Sequence, residues 1–376
     1  MWKIQLFKLN FDFREADAVR QTVESGWLTM GERIANFESG FSTYLGGGVQ
    51  SLAVANGTAA LHMALLALDV GPGDEVVIPA LTFVADANSV RLVGAKPVLA
   101  DCTSLDDWNM SVETIERCIT PKTKAVMIVH YAGYPCDMPA IVDLCRRRGL
   151  SLIEDVAHAP GATVAGRSCG AWGDIGCFSF FSNKNLSIGE GGMVTSCSPE
   201  LIQRMKYLRS HGMTTLTLDR HKGRAITYDV AEPGLNYRMD EMRAAIGLVQ
   251  LDKLPAGNSR RKELTERYRR NLAGSNVSMP FANIPADCVS AYHILPVMLP
   301  VGSDRKAVIE ALKAKGIQSS IHYPPFWNFT AYAGQFSPDN APVAAEICER
   351  ELTLPLYPTM TDEEVDLVSS SLLECL

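Results

Sequence analysis

The stretch FSFFSNKNLSIGEGG, residues 178–192, joins an apolar segment, a lone lysine and a glycine-rich turn. Aromatic and apolar residues separated by small ones predict a buried strand over residues 175–181. Lys184 follows directly, and the glycines of residues 189–192 predict a turn with unusual backbone angles. A lysine in such a corner loses hydration, which lowers its pKa from the usual ~10.4 and suits Schiff-base chemistry. The alternative is an ordinary solvated lysine that follows a strand.

Composition limits the class of protein. The 376 residues are 47% hydrophobic and 20% charged, which is typical of a globular protein large enough for two domains. The net charge of −7 argues against nucleic acid or an anionic membrane surface as a partner. No run of ~18 apolar residues predicts a membrane span. The N-terminus lacks the apolar core of a signal peptide, and the ten cysteines contain no Cys-x-x-Cys pair. We therefore expect reduced thiols, a cytoplasmic location, and neither a disulfide framework nor a metal site.

An anion cradle is predicted near the N-terminus of the chain. Residues 49–55 read as a short strand, Asn56-Gly57-Thr58 as a tight turn, and residues 59–68 as a strong helix. Free amides at the start of a helix, together with the helix dipole, favour a phosphate. Thr58 is expected to cap this helix and to offer its hydroxyl to the anion. An ordinary N-cap without a ligand is the alternative.

Strands and helices then alternate, which predicts a mostly parallel sheet covered by helices. Ligands bind such sheets outside the C-terminal ends of the strands. Asp155 occupies that kind of position, because it lies near the end of the predicted strand 151–156. Its carboxylate can either cap the turn that follows or hold a buried cation, such as a protonated ring nitrogen.

The C-terminal third is predicted to be a smaller α+β domain. Helices are expected over residues 240–254 and 260–272, with a break at Pro255 that divides the chain into domains 1–254 and 255–376. The later elements are predicted as strands 290–299 and 317–322, helix 305–315, and a final helix that begins at Thr361.

Several common catalytic motifs are absent from the sequence. There is no Gly-x-Gly-x-x-Gly fingerprint, no phosphate-binding Gly-x-x-x-x-Gly-Lys-Ser/Thr loop, no His-Glu-x-x-His helix and no Gly-x-Ser-x-Gly elbow. The missing dinucleotide fingerprint argues against a nucleotide-dependent oxidoreductase.

Motifs spread along the chain resemble one family. They run in order from Gly26-Trp-Leu-Thr-Met-Gly31 through Asp155-Val-Ala-His158 and Ser179-Phe-Phe-Ser-Asn-Lys184 to Asn236-Tyr-Arg-Met-Asp-Glu241 and His322-Tyr-Pro-Pro325. In this respect the chain resembles the DegT/DnrJ/EryC1/StrS aminotransferases, which use pyridoxal 5′-phosphate (PLP). The resemblance implies the type I PLP-dependent aminotransferase fold: an α/β large domain with a mixed, mainly parallel sheet, and a small C-terminal α+β domain. It also implies a homodimer with shared active sites.

Catalytic roles follow from the resemblance for two residues. Lys184 is implied to hold the cofactor as a Schiff base, and Asp155 to pair with its pyridine nitrogen. A carboxylate there keeps the ring protonated and able to stabilise a carbanion. Phe83 is expected to stack on the ring, and His158 to lie near the ring hydroxyl.

The remaining implied contacts concern the phosphate and the substrate. Gly57, Thr58 and Ser179 are expected to hold the cofactor phosphate, while Asn236 reaches the phosphate in the neighbouring subunit. The substrate pocket is implied to include His322 and Tyr323. A basic cluster in the polar segment 213–238 can meet a diphosphate or can be a solvated loop face; its members are Arg220, His221, Lys222 and Arg224.

The resemblance therefore implies an enzyme that moves an amino group from an amino acid, glutamate or glutamine, to a keto sugar on a nucleotide carrier. Alternatives are a cyclitol aminotransferase, a PLP-dependent sugar dehydratase, and a regulator that keeps the fold without catalysis. Dehydratases of this kind have histidine in place of the lysine, so Lys184 favours amino transfer.

Overall fold

The computed structural model describes residues 2–214 and 227–376. Its α-helices are α1 (Phe13–Glu24), α2 (Glu32–Leu45), α3 (Gly57–Ala67), α4 (Ala85–Leu92), α5 (Val112–Glu116), α6 (Met138–Arg148), α7 (Pro199–Leu208), α8 (Glu241–Leu272), α9 (Arg305–Ala314), α10 (Pro342–Arg350) and α11 (Asp362–Leu373). Its strands are β1 (Gln50–Val54), β2 (Glu75–Pro79), β3 (Lys96–Ala100), β4 (Thr123–Val129), β5 (Ser151–Asp155), β6 (Thr163–Val164), β7 (Arg167–Ser168), β8 (Ile175–Ser179), β9 (Gly192–Ser196), β10 (Cys288–Val289), β11 (Leu295–Met298) and β12 (Glu351–Leu354).

A seven-stranded sheet in the order β1-β9-β8-β5-β4-β2-β3 forms the centre of the fold. The pairs from β3 through β2, β4 and β5 to β8 are parallel, whereas β9 runs antiparallel to both β8 and β1. The mixed, mainly parallel sheet confirms the predicted α/β fold class. Because β5 and β8 are parallel neighbours, their C-terminal ends meet at one edge, which brings Asp155 close to Ser179.

Aromatic packing anchors the lysine-bearing segment. Phe178 and Phe180 are two residues apart, so both side chains point to the face of the sheet that α2 covers. The Phe178 ring meets Phe41 edge-on at a centroid distance of 4.9 Å, and the Phe180 ring lies 5.5 Å from Phe37. Ser179 faces the opposite side of the sheet, toward Gly57 at the start of α3. The packing of this strand therefore fixes the start of the turn that carries Lys184.

The C-terminal part has a core of its own, built by the second half of α8 with β11, β12, α9 and α11. The strands β11 and β12 form a two-stranded antiparallel sheet. Ile4 also packs in this core and bridges Ile317, so the first residues of the chain lie against the C-terminal part. The helix predicted from Thr361 is confirmed, since Thr361 caps α11 in a capping box with Glu364.

Three predictions about this region differ from the structure. The break at Pro255 is wrong, because α8 is one helix of 32 residues that contains Pro255. The apolar faces on both sides of Pro255 are buried, and tertiary packing outweighs the one hydrogen bond that proline removes. The predicted strand 290–299 shortens to β11, and residues 317–322 form only isolated bridges. The division into domains 1–254 and 255–376 stays a prediction.

Within the described residues, no helix combines the length and apolar character needed to cross a membrane.

Candidate active site

A cavity of about 630 Å³ opens at the carboxyl edge of the large sheet. This volume lies within the range usual for small-molecule pockets. The cavity brings together most of the residues singled out in the sequence, which are Gly57, Thr58, Phe83, Asp155, His158, Ser179, Lys184, His322 and Tyr323.

Lys184 lies in the turn after β8, and its backbone N–H donates to the Phe181 carbonyl at 2.9 Å. The turn is fixed by Asn185, whose amide donates to the Ala291 carbonyl and to the Asn258 side chain, both at 2.8 Å. The lysine side chain is half-buried because it borders the open cavity. Loss of hydration lowers the pKa of Lys184 to about 8, while the nearby Asp155 carboxylate acts in the opposite direction. With this pKa, roughly one amine in ten is neutral at pH 7, far more than for an ordinary lysine.

Asp155 ends β5 and is buried at the floor of the cavity. One of its oxygens accepts the Ala157 N–H at 2.8 Å. Asp155 therefore caps the turn that follows β5, which is one of the two roles predicted for it. Burial raises its pKa, whereas the Ala157 hydrogen bond and the Lys184 charge oppose that rise.

Asp86 is a second buried carboxyl beside Asp155, and it was not singled out in the sequence. It lies in the first turn of α4, 1% exposed, and its Oδ2 accepts the Thr82 hydroxyl at 2.5 Å. Burial and the negative charge of Asp155 raise the pKa of Asp86 well above its ordinary value. Of the two carboxyl groups, Asp86 is therefore the one that holds a proton more readily. An aspartate on the apolar face of a short helix was the available sequence signal.

The predicted anion cradle lies at the start of α3. A Cβ added at Gly57 would lie 2.8 Å from the Ser179 Cβ, so only glycine permits the close approach of α3 to β8. The N-cap is Asn56, whose side chain accepts the Ala59 N–H at 2.8 Å, and the prediction that Thr58 caps the helix is wrong. Since Thr58 is exposed and lines the cavity, its hydroxyl is left for a ligand.

His158 is held in one tautomer by its two neighbours. The Ala132 N–H donates to Nδ1 at 3.3 Å, so the ring proton is on Nε2, which lies 2.8 Å from the Tyr323 hydroxyl. Burial, with the positive charge of Lys184 nearby, lowers the pKa of His158 well below its ordinary value. The imidazole is therefore neutral and donates to the Tyr323 oxygen, which leaves the Tyr323 proton for another acceptor.

The other predicted site residues lie at the rim or outside the cavity. Phe83 is 55% exposed, and its ring lies 5.6 Å from that of Tyr323 at a tilt of 49°. Asn236 is exposed and does not line the cavity of its own chain. Arg220 and Lys222 lie outside the described residues.

Comparison with known proteins agrees with this geometry. The family model described as the DegT/DnrJ/EryC1/StrS aminotransferase family matches residues 10–373. The chain belongs to the DegT/DnrJ/EryC1/StrS aminotransferase family. This match confirms the family, the enzyme class and the fold that the sequence predicts.

Solved structures of similar proteins cover nearly the whole chain of this DegT-family aminotransferase. Spr1654 of Streptococcus pneumoniae, a putative sugar aminotransferase in its PMP form, is 32% identical, with 97% of each chain covered and a TM-score of 0.91. The aminotransferase TlmJ of Streptoalloteichus hindustanus is 35% identical over 100% of this chain and 98% of that one, with a TM-score of 0.89. PseC of Helicobacter pylori, an aminotransferase of pseudoaminic acid biosynthesis, is 26% identical over 99% and 98%, with a TM-score of 0.90.

Enzymes of the DegT family depend on PLP, which confirms the predicted cofactor. The residues of this chain fit it. The cavity offers an amine with a lowered pKa at Lys184, a buried carboxylate at Asp155, and a helix start at Gly57 that leaves no room for a side chain. These are the groups that an aldehyde, a protonated ring nitrogen and a phosphate require. The role of each residue toward the cofactor remains a prediction.

Proposed function

We propose that this protein transfers an amino group from glutamate or glutamine to the carbonyl carbon of a sugar carried on a nucleotide. The observation that carries the proposal is the meeting of Lys184, Asp155 and the α3 start in one cavity. In the exchange, the donor amino acid becomes a 2-oxo acid and the keto sugar becomes an amino sugar. PLP, when bound, supplies an electron sink for the carbanion at the carbon that gains or loses the amino group.

Lys184 supplies the proton transfers. Its Nζ takes a proton from the amino-bearing carbon of the donor and later returns one to the sugar carbon. General acid–base transfer of this kind typically contributes 10²–10⁴ in rate, and it works best when the pKa lies near the working pH. The lowered pKa of about 8 supports this role, because the same amine can both accept and donate near neutral pH.

Asp155 and Asp86 divide one proton between two carboxyl groups. Because Asp86 keeps its proton, Asp155 can remain charged and bind a protonated ring nitrogen. Gly57, Thr58 and Ser179 line the side of the cavity where the α3 amides point, which supports their assignment to the phosphate.

A sugar substrate is supported by two lines of reasoning. Similar proteins are named as a putative sugar aminotransferase and as an aminotransferase of pseudoaminic acid biosynthesis. In addition, His322 and Tyr323 bring a ring nitrogen and a hydroxyl to the cavity, which suits a substrate rich in hydroxyl groups. We assign the diphosphate of the carrier to Arg220 and Lys222, whose cationic groups suit it.

The test is direct amino transfer. The PLP-loaded protein is mixed with glutamate or glutamine and a panel of nucleotide-linked keto sugars, and products are identified by mass spectrometry. We expect the 2-oxo acid and an aminated sugar in equal amounts, and neither with Lys184→Ala. Water loss without amine incorporation would instead indicate a dehydratase, and a preference for cyclitol ketones would indicate a cyclitol aminotransferase. An unchanged cofactor spectrum with every amino donor would favour a regulator.

We further propose a homodimer in which Asn236 completes the partner's site, and a cytoplasmic location. The exposure of Asn236 away from its own cavity supports the first, and ten free cysteines support the second. If sites are shared, mixing inactive Lys184→Ala with inactive Asn236→Ala subunits restores activity, because each heterodimer contains one intact site. Heterodimers that form without activity would contradict shared sites.

A further inference from the structure

A chain of hydrogen bonds links a buried carboxylate to the cavity. Glu351 and Thr353 lie two residues apart in β12 and therefore share one face of the strand. Both are at most 1% exposed. The Thr353 hydroxyl donates to Glu351 Oε1, and Thr353 Oγ1 lies 2.8 Å from His322 Nδ1. The other Glu351 oxygen accepts the backbone N–H of His322 at 2.9 Å.

The direction of this chain fixes the tautomer of His322. A threonine hydroxyl has a single proton, and here the hydroxyl donates it in the hydrogen bond to the Glu351 carboxylate. Thr353 Oγ1 must then accept from His322, so the ring proton is on Nδ1. Burial, assisted by the Lys184 charge, lowers the pKa of His322 to about 3, and the ring is neutral. Its Nε2 is consequently a hydrogen-bond acceptor on a residue that lines the cavity.

The backbone of His322 is held from both sides as well. The Tyr131 hydroxyl donates to the His322 carbonyl. Ser320, two residues earlier, exchanges backbone hydrogen bonds with Thr353 at 3.1 and 2.8 Å. A ring that is restrained at its peptide and at Nδ1 cannot turn easily, so the position of Nε2 is set before any ligand binds.

We propose that Glu351 and Thr353 are positioning residues that hold His322 Nε2 as an acceptor for a hydroxyl group of the sugar substrate. The proposal rests on the proposed function and adds that these residues serve only one of its two half-reactions. An acceptor nitrogen suits an O–H donor and repels the carboxylate of an amino acid. The Glu351–Thr353–His322 chain therefore acts in the half-reaction of the sugar and not in that of the amino donor.

Protonation of Glu351 would reverse the chain. Burial raises the pKa of Glu351 to about 7, and the hydrogen bonds from Thr353 and the His322 N–H oppose the rise. A protonated Glu351 donates to Thr353, Thr353 then donates to His322 Nδ1, and the ring proton moves to Nε2. Other titratable groups near Glu351 are Arg305, Tyr131, Tyr323 and Cys348. Of these, Arg305 is cationic and favours the charged form of Glu351, whereas burial keeps the tyrosines and the cysteine neutral.

The first experiment separates the half-reactions. Thr353→Val removes the hydroxyl at similar volume, and Thr353→Ser is the matched control that keeps it. At pH 8 we expect Thr353→Val to raise KM for the keto sugar by about fivefold, the usual effect of one lost hydrogen bond. The rate of cofactor conversion by glutamate should change less than about twofold, and Thr353→Ser should restore the KM. Equal losses in both half-reactions, or no loss in either, would overturn the proposal.

The second experiment does not depend on turnover. Nitrogen-15 NMR of the protein without substrate, with the His322 signal identified by its loss in His322→Gln, reports which ring nitrogen carries the proton. We expect the Nδ1–H form at pH 8 and a shift toward Nε2–H between pH 8 and 6, with no such shift in Glu351→Gln. An Nε2–H form at pH 8 would overturn the assignment even if Thr353→Val failed to fold. If the wild-type enzyme aminates no keto sugar at all, the proposed function fails, whereas the NMR result still decides the tautomer.

Discussion

Two adjacent carboxylates on β5 have opposite surroundings. Glu154 is fully buried, lies 3.1 Å from His130 Nε2, and accepts three backbone N–H groups, from Gly170 at 2.8 Å, Trp172 at 2.8 Å and Gly173 at 2.7 Å. Asp155 has one backbone donor among the described residues and faces the cavity. Because successive strand residues point to opposite faces, two consecutive residues of one strand have different environments. The difference suggests the hypothesis that the carboxylate with more donors stabilises the fold, while the one with fewer donors at the cavity binds a ligand.

If chemistry belongs to the cavity face alone, the largest effect comes from its amine. We expect Lys184→Ala to lower amino transfer by about 10⁴ or more, since both proton transfer and covalent attachment of PLP are lost. The characteristic absorbance of the bound cofactor should disappear, and the melting temperature without PLP should change little. Lys313→Ala, an exposed lysine on α9, is the control and should be unaffected. Full turnover by Lys184→Ala would remove the basis of the comparison.

Exchanging the two carboxylates for amides tests the comparison directly. Asp155→Asn should lower turnover by roughly 10²-fold or more with near-normal stability, because it removes charge opposite the ring nitrogen. Glu154→Gln should lower the free energy of unfolding by about 2–3 kcal/mol, because charge-assisted bonds to buried amides are lost. Its turnover per folded molecule should remain near normal. Urea unfolding and steady-state rates measure both, and the opposite pattern would reverse the two assignments.

The cradle at α3 should show a smaller effect on the cavity face. Gly57→Ala places a Cβ 2.8 Å from the Ser179 Cβ, and the strain should weaken PLP binding by about tenfold. Gly40→Ala in α2 is the matched control, because its Cβ would lie at an ordinary 3.5 Å from Leu251. That control should leave PLP affinity unchanged and stabilise the helix by about 0.5–1 kcal/mol. Titration of the apoprotein with PLP gives the affinities. Equal affinities in the two variants would show that close packing at Gly57 is not needed for the cofactor.

The smallest expected effect concerns pH and Asp86. Its pKa is raised in the folded protein, so the folded state holds a proton that the unfolded state releases. Its contribution to stability is complete below the ordinary carboxyl pKa and is lost as the pH rises toward the folded value. Asp86→Asn does not titrate, so its stability relative to wild type should increase from pH 5 to pH 8. Chemical unfolding of both cofactor-free proteins at the two pH values checks this, and a constant difference would mean that Asp86 is ionised in the fold.

Local patterns in the sequence predict the strands and turns that meet at the carboxyl edge of the sheet. The strand before Lys184, the strand that ends at Asp155 and the turn before α3 each combine a short apolar run with a turn signal, and such segments fold as they read. The family motifs then related these separated segments to a single site. The same reasoning failed at Pro255, where the local rule for proline lost to packing of a long helix.

Side chains brought together only by tertiary structure could not be found in this way. Asp86 lies on the apolar face of a short helix, but its proximity to Asp155 at the end of β5 follows only from the folded structure. Glu351 precedes an apolar run, and nothing in that run indicates that β12 will bring it to His322, 29 residues earlier in the sequence. Buried partners of this kind depend on long-range pairing, which sequence periodicity does not encode.

Helix α8 is about 48 Å long if each of its 32 residues contributes the usual rise. Its first residue, Glu241, accepts the backbone N–H groups of Gly31, Arg33 and Ile34, and farther along Arg261 donates to the His293 and Leu356 carbonyls. A gene divided at codon 255 would therefore yield two fragments that each contain about half of this helix, with its apolar face exposed to solvent. Split reporters or circular permutants of this enzyme are better cut in an exposed loop, such as the turn at Gly274.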